Sequence, residues 1–152
     1  MRKRSALAVT VLLGVLVLSI ASPARSATKL RVYKGETSQG YSITFRVART
    51  DAGRFIREMV WGITFTCEDQ TTQDWGIGWG LANSLPVTDG AFVFDESFTN
   101  EATHLSGRIG KLRGSGTLTM VIAALTDDEQ AQLCISGDLT WDVEFVRTIR
   151  RG

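Results

Sequence analysis

The chain has 152 residues, with 17 Lys plus Arg against 16 Asp plus Glu, one histidine and two cysteines. So even a balance excludes a strongly basic nucleic-acid binder, because neutralising a phosphate backbone needs a positive excess. The single histidine also excludes a zinc site built on histidines.

Arg2, Lys3 and Arg4 precede an uncharged run, Ala6 to Ile20, and then "ASPA" with small residues at Ser22 and Ala24. This is the pattern of a secretory signal peptide, expected to be cleaved after Ala24, with Ala21 and Ala27 as alternatives. The run is shorter than the ~20 residues a spanning helix needs, so no stable membrane span is expected after processing. Removing residues 1–24 leaves 14 Lys plus Arg against 16 acids, a net charge of −2. The expected location is secreted or extracellular, or associated with the cell envelope. Nucleic acid is not an expected partner.

Cys67 and Cys134 both lie in the remaining part. An even count in an oxidising compartment is most simply a disulfide. Closing so long a loop contributes roughly 4 kcal/mol in the chain-entropy model. The alternative is a pair of free thiols, but neither cysteine stands in a C-x-x-C unit.

Along the chain, alternation of apolar and polar residues recurs and helical periodicity is nearly absent. Residues 42–49 place Ile43, Phe45 and Val47 on one face, and "TDAG" then turns at Asp51 and Gly53. Residues 57–67 stack Met59, Trp61, Ile63, Phe65 and Cys67 on one face. In 74–86, Trp75, Ile77, Trp79 and Leu81 alternate with Gly76, Gly78 and Gly80. Asp89-Gly90 is a tight-turn dipeptide. Residues 91–98 align Phe92, Phe94 and Phe98, with Glu96 on the same side. A weaker strand covers 104–110, with Leu105 and Ile109 inward. Residues 114–125 turn Leu118, Met120, Ile122 and Ala124 inward, and 138–146 do so with Leu139, Trp141, Val143 and Phe145. Thr126 followed by Glu129 fits a capping box, so 126–132 is expected to hold one helical turn. The predicted fold is all-β: an antiparallel β-sandwich, jelly-roll-like or Ig-like, of seven to nine strands with one disulfide, over residues 28–147. Residues 148–152 are expected to be a short basic tail, and the basic stretches at both termini to be solvated ends.

The stretches "YKGETSQGYSITFRV" (33–47), "ITFTC" (63–67), "LSGRIGKLRGSGTLTM" (105–120) and "CISGDLTW" (134–141) together resemble a family of small exported bacterial β-sandwich domains without an assigned activity. The resemblance covers about 33–141. It implies the β fold and the Cys67–Cys134 pair and carries over no catalytic residue. The tryptophan-rich 75–79 segment and the acidic 127–129 segment depart from the family pattern.

Chemistry is sparse. His104 and Ser106 share a strand face, but a serine hydrolase also needs an orienting carboxylate and an oxyanion hole, and no Gly-x-Ser-x-Gly elbow exists. Asp95, Glu96 and Glu101 flank one strand end, and two facing carboxylates could hydrolyse glycosides. Asp127, Asp128 and Glu129 are adjacent rather than spaced as in a dedicated calcium loop. Trp75 and Trp79, about 13 Å apart on one face, could stack on sugar rings with Tyr41 as a third ring; the competing reading is core packing. The expectation is a non-catalytic binding or cell-surface interaction module for a carbohydrate or a protein, with no cofactor and no metal. The alternatives are a glycoside-acting enzyme using Glu96 and a neighbouring carboxylate, and a structural envelope component.

Overall fold

Residues that alternate apolar and polar bury one face when they pair as strands, and most of the described residues do so. A computed structural model describes residues 28–125 and 131–151. The signal segment, its cleavage sites and the acidic stretch at 126–130, with its expected helical turn, lie outside the described residues. Within them are nine strands: β1 (Thr28–Thr37), β2 (Ser42–Thr50), β3 (Gly53–Cys67), β4 (Thr72–Val87), β5 (Ala91–Phe98), β6 (Glu101–Ile109), β7 (Arg113–Leu125), β8 (Ala131–Ile135) and β9 (Leu139–Arg151). All described pairings are antiparallel, as expected.

The strands form one continuous sheet in the order β4-β3-β2-β1-β9-β7-β6-β5, with β8 bridging β7 and the end of β3. The two layers expected of a sandwich are therefore two stretches of the same sheet. Its curl is strong. Phe45 of β2 and Phe92 of β5 are five places apart in the strand order, yet their rings are 5.7 Å apart. Between them sits Trp141, 4.9 Å from Phe45 and 5.9 Å from Phe92. Tyr33, Ile43, Met59, Trp61, Ile63, Phe65, Leu105, Leu118 and Met120 complete an interior that is almost wholly shielded from solvent.

Glycines make room for Trp141. Gly107 of β6 and Gly116 of β7 are cross-strand partners, and Gly116 is also opposite Trp141. A methyl group on either glycine would overlap the tryptophan ring and neighbouring carbonyl oxygens. Trp141 Nε1 donates to the carbonyl of Thr117 at 3.3 Å.

The far end of the sheet closes around the β1–β2 hairpin. β3 runs past this hairpin and pairs with β8 through Thr66–Ile135 and Cys67–Cys134. Cys67 and Cys134 form the expected disulfide. Gln39, in the hairpin turn, fills the gap as a strand would. Its carboxamide donates to Thr64 O at 2.9 Å and accepts from Thr64 N at 2.9 Å. The same nitrogen reaches Ser136 O at 3.4 Å.

Two expectations at the termini are corrected. Residues 29–34 and 147–151 are not loose ends, although Lys29, Lys34, Arg147 and Arg150 are exposed, and 148–151 is not a separate tail. They are β1 and the last part of β9, paired from Thr28–Arg151 to Thr37–Trp141. A bulge between Val32 and Tyr33 lets Leu30, Val32 and Tyr33 all be buried, which breaks the alternation that would have marked β1 as a strand.

Gly116→Ala is expected to destabilise the fold by about 1–3 kcal/mol through overpacking against Trp141. Gly76→Ala, whose Cβ would meet nothing within 4 Å, is expected to be neutral or slightly stabilising. Urea unfolding of the two variants separates these outcomes. By the same assay, replacing both Cys67 and Cys134 by Ala is expected to cost about 4 kcal/mol, given the 67-residue separation.

Candidate functional site

Asp89 and Gly90 both have positive φ, and Thr88 and Ala91 close a two-residue turn between β4 and β5. That is the turn geometry the Asp-Gly pair favours. Past Thr88–Ala91 the two strands share no described ladder pair, although they are the two edges of the curled sheet. Side chains fill this seam. The Trp79 ring lies 5.1 Å from Phe94, edge to face, and 6.1 Å from Phe98, nearly parallel.

The predicted aromatic residues divide between two faces. Trp75 pairs with Ile63 and Trp79 with Met59, so both tryptophans sit on the inward-facing side of the sheet. Trp75 packs edge-on to Phe65 at 5.8 Å but remains 43 % exposed, because β4 is an edge strand. Trp79 is half-buried. Phe98, expected inside, is 59 % exposed where β5 leaves the core. The side chain of Leu81, expected to continue this face, lies outside the description. Tyr41 is on the other side of the sheet. Its ring covers Gly62, an outward position between the inward Trp61 and Ile63. The structure thus brings Trp79 and Phe98 together along the seam, holds Trp75 farther along the same face of β4 against Phe65, and leaves Tyr41 apart.

Tyr41 has a different set of partners. The Thr64 hydroxyl is 2.8 Å from the Tyr41 phenol and 2.5 Å from Asp74 Oδ1. Hydrogen bonding from Thr64, then from Tyr41, holds the Asp74 carboxyl below the usual aspartate range. This network lies beside Gly76 and Gly78, which leave open space on the outer face.

Glu96 is on the inward side of β5 between Phe94 and Phe98 and is half-buried. Its carboxyl is pushed above the usual glutamate range, first by desolvation and second by the charge of Glu101. Glu96 Oε2 and Trp79 Nε1 are buried and have no hydrogen-bond partner among the described residues. Buried polar atoms are nearly always paired; Arg31 Nε, Thr37 Oγ1 and Trp61 Nε1 are also unpaired, at separate places on β1 and β3, whereas these two border one seam. Sequence singles out Glu96 for its side of the strand, but not its closeness to Trp79, which requires the sheet to curl.

His104 gains a carboxylate partner that sequence does not assign. Asp95 and His104 are directly opposite in the β5–β6 pair, and His104 Nδ1 contacts the Asp95 carboxylate. Ser106 does not complete a triad. Its hydroxyl lies 3.1 Å from that of Thr117. The histidine and aspartate side chains are 50 % and 67 % exposed on the outer face. They border an open groove of about 380 Å³ with Thr119 and Val121. Among the described residues no group of three or more His, Cys, Asp or Glu side chains could hold a metal, and no helix is long and apolar enough to cross a membrane.

No family model, curated protein or solved structure matches the chain.

Glu96 also makes a pH prediction. The folded carboxyl keeps its proton to higher pH than the unfolded one, so the native state binds more protons in that window and stability falls as pH rises through it. Glu96→Gln removes this penalty. It is expected to raise Tm at pH 7, with the gain vanishing at about pH 3, below the ordinary glutamate value of ~4.3. Thermal melts across this range check it, and an equal effect at both pH values contradicts it.

Proposed function

We propose that the chain is an exported, non-catalytic binding module and that it takes a carbohydrate at the β4–β5 seam. One observation carries this reading: two unpaired buried polar atoms, Trp79 Nε1 as donor and Glu96 Oε2 as acceptor, border the seam beside the exposed ring of Phe98, and the exposed Trp75 ring continues the same face of β4. A sugar hydroxyl both donates and accepts, and the C–H face of a sugar ring lies flat on an aromatic ring. Sites of this kind combine a few placed polar groups with an apolar wall. The disulfide is consistent with an oxidising compartment.

A second reading has its own support in the pairing of Glu96 with Glu101. A carboxyl pushed above its usual range by desolvation and by a nearby second carboxylate is the arrangement of a general acid in glycoside hydrolysis. In that case the seam would cleave the glycan it binds.

Both readings meet in one set of measurements: a glycan array, titration of tryptophan fluorescence with the glycans that score, and an assay for released reducing ends. Binding without release is expected. Trp75→Ala is expected to weaken it by about threefold to tenfold, the value of one stacked ring. Release that Glu96→Gln abolishes would favour the hydrolase. Absence of any glycan that perturbs the fluorescence, or a Trp75→Ala variant with undiminished affinity, would remove the sugar-binding reading.

A further inference from the structure

The cations of this chain come in blocks. Four of the 17 Lys and Arg residues precede β1: Arg2, Lys3, Arg4 and Arg25. All the others fall within 29–34, 46–57, 108–113 and 147–151, and the intervals 35–45, 58–107 and 114–146 contain none. The topology gathers these blocks. The first opens β1, the second spans the β2–β3 turn, the third spans the β6–β7 turn, and the fourth closes β9. Antiparallel pairing puts all four at one end of the curled sheet. Contacts between blocks bear this out. Lys29 of the first is directly opposite Arg150 of the fourth; within the second, Arg49 is opposite Arg54. Arg54 donates to Ile109 O at 2.9 Å, and Arg31 donates to Lys111 O.

Acids at this end are few. Glu58 pairs with Arg46 at 2.7 Å and Glu144 with Arg113 at 3.0 Å. Asp51 and Asp89 stand in turns, and Asp142 lines the cleft beside Arg108 and Arg113. The other end, with the β1–β2, β3–β4 and β5–β6 turns, carries Glu68, Asp69, Asp74, Glu101 and Asp138 and no Lys or Arg among the described residues. A nearly neutral chain is therefore strongly polar along its length. Like charges placed directly opposite in a ladder destabilise it, so folding alone does not favour Lys29–Arg150 or Arg49–Arg54.

We infer that the basic end is a docking surface for an anionic lipid bilayer. Leu112 selects a bilayer over a soluble polyanion, because an exposed apolar side chain within a polybasic patch enters a membrane interface. Leu112, at the tip of the β6–β7 turn between Lys111 and Arg113, is 64 % exposed, where it meets the interface first. Arg54, Arg108 and Arg113 also line a cleft of about 560 Å³ at this end, where they outnumber the two carboxylates, Asp89 and Asp142. The surface is separate from the seam and does not rest on the carbohydrate reading.

Flotation of the full chain with vesicles of phosphatidylcholine alone, and with phosphatidylglycerol added, tests the proposal. The apolar run, where retained, partitions into both, so the difference between the two reports the basic end. At low salt the anionic vesicles are expected to bind at least about tenfold better, and high salt to erase most of that preference. The variant Lys29→Gln/Arg49→Gln/Arg147→Gln/Arg150→Gln relieves both like-charge pairs, so it is expected to fold at least as well, which circular dichroism checks, and to lose the preference. Equal binding to both vesicles, or a preference that survives in the variant, overturns the proposal. So does heparin or duplex DNA binding more tightly than the anionic vesicles, which would make the partner a soluble polyanion.

Discussion

The curl of the sheet depends on one row of residues in which two glycines lie between two large rings. Phe92 and Trp141 are on strands separated by β6 and β7. In a flat sheet, three strand spacings would hold them about 14 Å apart. Their rings are in fact 5.9 Å apart, above Gly107 and Gly116. Any side chain at those two positions would occupy the space the indole needs. The glycines therefore let the sheet bend inward, and the rings fill the concavity that results. Phe45 reaches the same cluster from β2, so the core of the whole molecule converges on this row.

Two different devices close the sheet, with different consequences. At the far end closure is by backbone and covalent bond: β3 pairs with β8, the disulfide spans the pair, and the Gln39 carboxamide supplies the missing ladder bonds beside it. Along the β4–β5 seam it is by rings. The tight Asp89–Gly90 turn brings the two edges together, but beyond it they share no described pairs. Edge strands left without partners invite pairing with other chains, and the stack of Trp79 on Phe94 and Phe98 covers this one. Ring packing cannot satisfy polar atoms as a ladder does. That is why Trp79 Nε1 and Glu96 Oε2 are left unpaired at the seam.

Local alternation makes much of this fold legible in the amino-acid sequence. Ile43, Phe45 and Val47, the Met59-to-Cys67 stack, and the Leu118 and Leu139 series all face inward as their period of two requires. The Asp89–Gly90 turn and the Cys67–Cys134 pair are readable from residue type. The features that escape such a reading depend on neighbours distant in the chain. β1 reads as a basic, irregular end because its bulge places consecutive residues Val32 and Tyr33 both out of solvent. The face of Trp75 is visible in its spacing, but its exposure depends on β4 being an edge. Tyr41 reads as a third ring for the tryptophans because sequence cannot say on which side of β3 a hairpin turn lies. Asp95 and His104 are nine residues apart, and only the β5–β6 register makes them partners.

Charge shows the same dependence on topology in its strongest form. Total charge near zero argues against polyanion binding only if the charges are mixed. In a meander, residues at alternate turns lie at the same end, so cations placed near every second turn accumulate although they are far apart in sequence. Here the acids occupy the intervening turns. The field of such a molecule orients it at a charged surface even when its net charge attracts it weakly. An orienting field also fixes which end points away. The aromatic and carboxylate seam extends toward the acidic end, so a molecule resting on its cations would present that seam outward. Attachment and recognition can then change independently, because the cation blocks and the seam residues share no side chain.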